Sequence, residues 1–294
     1  LAGQADGSVF VKYGSTSVLV TAVMSDSQRD VKYLPLTVDY EERYYAAGKI
    51  KGARYIRREG RPTDEAILVS RLIDRSIRPR FPENLQREVQ VTLTCLSWDA
   101  ENDPDVIGLI AASSALSISD IPWSGPIAAV RVGRQNNQFI LNPAYKEREK
   151  NGFDLIISAT SLGEEIVINM LEGNMNEVPE NLILEAFEFA KPHLKEICNL
   201  QQRITDKISK EKVVIEKTKK DFELENEIKK FLGDKLEKAL YQKDKSNRMA
   251  EVNSLKEELS YLIEGKYELK EKIRSALDFF EKEIVVILSH TKVQ

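Results

Sequence analysis

Residues 52–81 read GARYIRREGRPTDEAILVSRLIDRSIRPRF and contain eight arginines: Arg54, Arg57, Arg58, Arg61, Arg71, Arg75, Arg78 and Arg80. The stretch has no lysine and only four acids, in a chain whose formal net charge is −4. Its second half meets the local requirements of a helix. Thr63 suits an N-cap, and Asp64 and Glu65 suit the positive end of the helix dipole. Pro79 forbids continuation much past Ile77. At helical spacing Ala66, Val69, Ile73 and Ile77 share one face, while Arg71, Arg75 and Arg78 fall within about 60° of one another on the opposite face. Upstream, Gly48, Gly52 and Gly60 bracket a loop that carries Arg54, Arg57 and Arg58. Guanidinium groups bind phosphate through paired hydrogen bonds and stay charged at physiological pH. The competing reading is internal ion pairing with Glu59, Asp74 and neighbouring acids, and two or three of the eight are expected to be structural in any case.

The remaining composition narrows the setting. At 294 residues the chain can hold two cores. No apolar run approaches the ~20 residues of a membrane span, so no membrane role is expected. With neither a signal peptide nor an initiator Met, the sequence reads as a piece of a longer chain. Cys95 and Cys198 are too few for a disulfide scaffold and point to a reduced, cytoplasmic protein. His193 and His290 as joint metal ligands are set aside. An acidic chain is not a general nucleic-acid binder, so any polyanion site must be local.

Two compositions divide the chain. All ten prolines lie at or before Pro192, and twelve of fourteen glycines at or before Gly173. The second part is rich in Lys, Glu and Leu, with Ile228, Phe231, Leu232, Leu236 and Leu240 at helical spacing. Residues 216–294 read as a small all-helical domain after a helix end and linker over 201–215, with Gly233 and Gly265 at helix ends or turns. Their balanced charges suit a solvated face better than a basic nucleic-acid surface. In the first part, SVFVKYGSTSVLVTAV is a hairpin turning at Gly14-Ser15, EVQVTLTCLSW a strand, and DVIGLIAASSALSIS a small-residue helix able to approach a sheet closely. Two more hairpins turn at Gln135-Asn136-Asn137 and around Gly163, and PENLILEAFEFAKPHLKEICNL closes the part as a helix. The expected class is α+β over residues 1–200, followed by the helices.

The string GKIKGARYIRREGRPTDEAILVSRLIDRSIRPRFP resembles the first core of the bacterial polynucleotide phosphorylase family. QADGSVFVKYGSTSVLVTAV, PLTVDYEERYYAAGKI, NDPDVIGLIAASSALSISDIPWSGPIAAVRVG and FILNP agree with it in the same order. The resemblance implies an RNase PH-like (ribosomal S5 domain 2-like) fold whose initial strand is missing, leaving an exposed sheet edge, and then an all-helical domain. It implies 3′-to-5′ phosphorolysis of RNA in mRNA degradation: phosphate is the co-substrate, nucleoside diphosphates are released, and the reaction is reversible. It also implies a homotrimeric ring threaded by single-stranded RNA, Mg²⁺ held in a second core, and association with other RNA-degradation enzymes.

The family's pore loop reads aromatic-aromatic-Arg-Arg. Here it is Tyr55-Ile56-Arg57-Arg58, one residue longer before Arg57, so phosphate contact is expected to outweigh base stacking. The resemblance assigns RNA binding to Tyr55, Arg57, Arg58, Arg61, Arg71, Arg75 and Arg78. It assigns no catalytic and no metal residue. The family's catalytic core binds phosphate with serines at a helix N-terminus; the equivalent positions here are Asn102-Asp103-Pro104-Asp105. Two carboxylates repel phosphate and a proline removes one N–H donor. Of the family's aspartate pair only Asp154 remains. Asp103 and Asp105 as metal ligands are the alternative to an acidic helix start. Two further readings compete: a non-catalytic RNA-binding ring subunit, and an S5-like binding module, against which the arginine helix argues.

Overall fold

The computed structural model describes residues 1–31, 33–50, 52, 60–148, 152–215, 222–264 and 270–289. The chain divides into two compact units, Leu1–Lys217 and Thr218–Gln294.

The first unit opens with the hairpin β1 (Gly7–Tyr13) and β2 (Thr16–Gln28), turning at Gly14, whose φ of 61° favours a residue without Cβ. β3 (Leu36–Glu42) follows, then a 3₁₀ turn at Tyr44–Ala47, helix α1 (Asp64–Ile77) and β4 (Arg87–Ser97). β1, β2, β4 and β3 form one sheet in that order, with β1 at its edge. β3 runs parallel to β4, pairing Tyr40 with Leu93, so β3–α1–β4 is a crossover unit. No hairpin pattern announced β3, although LTVDYEE does alternate.

Helix α2 (Pro104–Ile118) then crosses the sheet. Its small residues allow close approach: a Cβ on Gly7 of β1 would lie 2.2 Å from the carbonyl oxygen of Ala115. A second sheet, ordered β6-β5-β7-β8, is built from β5 (Ile127–Gln135), β6 (Gln138–Leu141), β7 (Phe153–Leu162) and β8 (Glu165–Met175), with the short helix α3 (Tyr145–Arg148) before β7. Asn136 and Asn137, both at positive φ, make the two-residue turn between β5 and β6. Helix α4 (Glu180–Ile208) carries Pro192 within it.

The stretch 201–215, expected as a helix end and linker, is one, and its second part is tied down along its length. Its first residues complete α4, and the rest is tied to the end of α2: the Lys210 and Val213 N–H groups donate to Ile118 and Asp120 carbonyls, and Lys212 Nζ donates to those of Leu116 and Ser119. These bonds cover the C-terminal end of α2, where helix carbonyls lack intrahelical donors.

Period-two alternation splits the second sheet between two cores. Ile127, Ala129 and Ile156 join the core of the first sheet, α1 and α2. Ala128, Val130, Val132, Leu155 and Ile157 face α4, meeting Ala186, Ala190 and Leu194. The layers are thus sheet, helices, sheet, helix.

The second unit is helical: α5 (Phe222–Leu232), α6 (Lys235–Leu240), α7 (Lys245–Glu264) and α8 (Lys270–Ser289). Leu224, Ile228, Leu236, Leu259, Ile263 and Phe280 are among the residues of its separate core. Gly233, at positive φ, separates α5 from α6, while Gly265 lies outside the described residues.

Candidate nucleic-acid interface

Helix α1 begins as its sequence dictates, with Thr63 Oγ1 accepting from the Ala66 N–H at 3.1 Å. Ala66, Leu72, Ile73, Ser76 and Ile77 are buried. The three arginines of the opposite face have different fates. Arg78 is half-buried and held on several sides: Nε and Nη2 donate to the Asp74 carboxylate at 2.9 and 2.7 Å, and Nη1 and Nη2 to the carbonyls of Leu34 and Leu36. It fastens α1 to the start of β3. Arg75 reaches β8, donating to Glu172 at 3.0 Å and to the Leu171 carbonyl, with both charged partners largely exposed. Arg71 and Arg61 are exposed and make no ion pair among the described residues. Arg54, Tyr55, Arg57 and Arg58 lie outside the described residues. Arg80 donates to the Ser124 carbonyl. The arginine stretch is therefore part fastening and part exposed charge with no ion pair among the described residues, and sequence spacing alone did not separate the two.

The other arrangement of charge lies at the start of α2. Asp103 is the N-cap and accepts from the Asp105 N–H. On β5, Arg131 shares the face of Ile127 and Ala129, which turns toward α2. On β7, Asp154 lies two residues from Ile156 on that same face. The pleat so brings one buried guanidinium against three carboxylates. Arg131 Nη1 donates to Asp154 at 2.6 Å, and Nη2 to Asp103 at 3.1 Å and to Asp105. Arg148 Nη1 donates to Asp103 at 2.6 Å, and its guanidinium lies 4.5 Å from the Tyr145 ring centroid. Tyr145 in turn meets Trp98 edge-on at 5.8 Å.

The electrostatics divide the carboxylates. Burial pushes Asp105 up to about 7, with Asp103 adding repulsion and Arg131 opposing both. Asp103 is held below the usual carboxylate range by Arg131 and Arg148, against its own burial. The position that an anion-binding helix start offers to phosphate is closed by this network. Asp103 and Asp105, considered from sequence as metal ligands, are instead paired with arginine, and among the described residues no group of His, Cys, Asp and Glu is arranged to hold a metal. The Mg²⁺ implied by the resemblance thus finds no fitting donor set among the described residues. Arg131 was missed in the sequence; its one signal was an arginine inside the apolar strand PIAAVRVG.

Two sheets with helices packed between them, and the start of α2 held by Arg131, frame a two-part core. Residues 1–122 match the 3′ exoribonuclease family, domain 1, and residues 125–192 match domain 2; the chain belongs to that family. Curated relatives named polyribonucleotide nucleotidyltransferase include those of Sulfurihydrogenibium azorense, 43% identical over 97% of this chain and 39% of that protein, and Heliobacterium modesticaldum, 42% identical over 97% and 40%. The relative of that name from Borreliella burgdorferi is 42% identical over 97% of this chain and 40% of its own length. The chain thus spans about two fifths of the length of the curated relatives it matches.

Among the described residues, no helix is long and apolar enough to cross a membrane.

Proposed function

We propose that this chain acts as the RNA-guiding core of a 3′-to-5′ phosphorolytic exoribonuclease, one in which phosphate attacks the terminal phosphodiester and a nucleoside diphosphate leaves. The observation that carries the reading is the closed helix start, where Asp103 and Asp105 meet Arg131 instead of leaving N–H groups for phosphate. Chemistry, phosphate and Mg²⁺ then belong to a second core of the same type. Arg61 and Arg71, exposed and without an ion pair among the described residues, together with Arg57 and Arg58, supply sequence-independent contacts to the RNA backbone. Arg75 is a secondary contact, since its exposed pair with Glu172 can exchange for phosphate at little cost. Arg78 is committed to the fold. A ring of three copies would multiply the loop's charge around one aperture, and a cytoplasmic setting in mRNA degradation, beside other RNA-degradation enzymes, suits the two free, buried cysteines. A closed centre also suits a non-catalytic ring subunit; the relatives' name favours the enzyme.

Two measurements test the reading. The purified chain should release no nucleoside diphosphate from RNA in a phosphate-dependent manner, and release above a mock preparation would refute the silent centre. Arg57→Ala/Arg58→Ala should weaken binding of single-stranded RNA whatever its sequence, and flatten log affinity against log salt by roughly 0.7 for each lost contact. Unchanged affinity and slope would remove the loop from the RNA path.

A further inference from the structure

Helix α1 meets the second sheet through two separate sets of bonds. The first is buried. Asn169 Nδ2 on β8 donates to the Ser76 carbonyl at 2.9 Å, and Ser158 Oγ on β7 donates to Asn169 Oδ1 at 2.5 Å. Ser76 and Ser158 are both fully buried. The second set is open to water. Arg75 Nη1 donates to Glu172 at 3.0 Å, with side chains 56% and 40% exposed, and Nη2 reaches the Leu171 carbonyl at 3.4 Å. The buried bonds and the apolar face of α1 hold the junction, and an exposed ion pair adds little to it.

Glu172 is placed by the sheet, since its backbone pairs with Ile156 of β7. Among the described residues Arg75 is its ion-pair partner. Asp74, next to Arg75 in the chain, is bound by Arg78 and does not compete. One turn upstream on the same helix face, Arg71 is exposed and has no ion pair among the described residues. Residues four apart on a helix are neighbours, with Cβ atoms about 5–6 Å apart. The two arginines therefore offer adjacent but unequal positions to an anion. A guanidinium binds carboxylate and phosphate through the same kind of charge-assisted bond. At Arg75 an incoming phosphate has to displace Glu172, and at Arg71 it displaces only water. The tether gives the carboxylate an effective concentration that dilute free phosphate does not match. A phosphate in a strand already held at Arg71 is itself tethered, and competes on equal terms.

We propose that Glu172 is a specificity-determining residue of the RNA path: it withholds Arg75 from free phosphate and yields it to a single strand already held at Arg71. The inference rests on the RNA-guiding role proposed above, and says how that surface tells a phosphodiester chain from inorganic phosphate. The distinction matters in phosphorolysis, where phosphate is the co-substrate and two open arginines would collect it. The carboxylate keeps the second arginine for the strand.

The test follows binding of a fluorescent single-stranded oligoribonucleotide to the chain by anisotropy, with and without inorganic phosphate at fixed ionic strength. Glu172→Gln should bind the RNA about two- to fivefold tighter, the range set by an exposed ion pair. Inorganic phosphate should also displace RNA from this variant at lower concentration than from the unaltered chain. In an Arg75→Ala background the same substitution should change neither quantity, because no guanidinium is left to release. Glu172→Ala serves if the glutamine variant does not fold. An equal gain in both backgrounds overturns the proposal and marks Glu172 as a general repulsive charge. Unchanged or weaker RNA binding by the folded Glu172 variant, or unchanged displacement by phosphate, also overturns it. Failure of the RNA-guiding role is a separate result. Arg71→Ala would then leave RNA affinity unaltered, and the proposal would fall with that role. If Arg71→Ala weakens RNA binding and the Glu172 comparison shows no gain, the proposal alone fails.

Discussion

Arg131 and Arg71 carry the same group in opposite surroundings. Arg131 is buried with three carboxylates around it, while Arg71 stands in solvent on α1 with no ion pair among the described residues. A guanidinium is available to a polyanion only where the fold has not already neutralised it. By that measure the eight-arginine stretch is less uniform than it reads, because Arg78 serves the fold and Arg75 divides its contacts between a carboxylate and a carbonyl. The start of α2 is the converse. It has the geometry of an anion site and the charge of a closed salt bridge.

The contrast is easiest to break at Arg131. Arg131→Met leaves buried carboxylates uncompensated, and should cost about 3–5 kcal/mol; a urea melt of the chain checks it. A loss below about 1 kcal/mol would mean that the acids are hydrated and the centre is open.

Asp105 sharpens the same point through pH. Its folded pKa, near 7, lies above its unfolded value, so the folded chain holds this proton more tightly. That contribution to stability is complete below about pH 4 and is lost as pH rises through 7. Asp103 acts oppositely, with its contribution lost as pH falls below the usual carboxylate range. Melting temperature followed from pH 4 to 8 should therefore decline less in Asp105→Asn than in the unaltered chain. Parallel curves would show that Asp105 is ionised throughout.

On α1 the expected effects shrink step by step. Arg78→Ala removes charge-assisted bonds to Asp74 and two β3-side carbonyl bonds, and should cost about 2 kcal/mol. Arg75→Ala breaks an exposed pair and should cost under ~1 kcal/mol. Arg71→Ala should leave stability within about 0.5 kcal/mol, while RNA affinity falls and the salt slope flattens. A stability loss at Arg71 as large as at Arg78 would erase the distinction between fastening and exposed charge.

Much of this was legible in the chain itself. The α1 cap, its stop before Pro79, the turns at Gly14 and Asn136–Asn137 and the apolar spacing of α5 each depend on neighbours within a few residues. Backbone preference and side-chain periodicity act at that range, so the sequence determined these elements, the divide between the mixed part and the helical part, and the family. The meeting of Asp103, Asp105, Arg131 and Asp154, the tie between Arg75 and Glu172, the parallel pairing of β3 with β4 and the docking of Lys212 on α2 were decided by the tertiary structure. Each joins residues distant in the chain, and which charges neutralise one another depends on the pleat of one strand and the direction of one helix. Local pattern does not encode those relations, because burial and Coulomb energy depend on distance in space and not on separation along the chain.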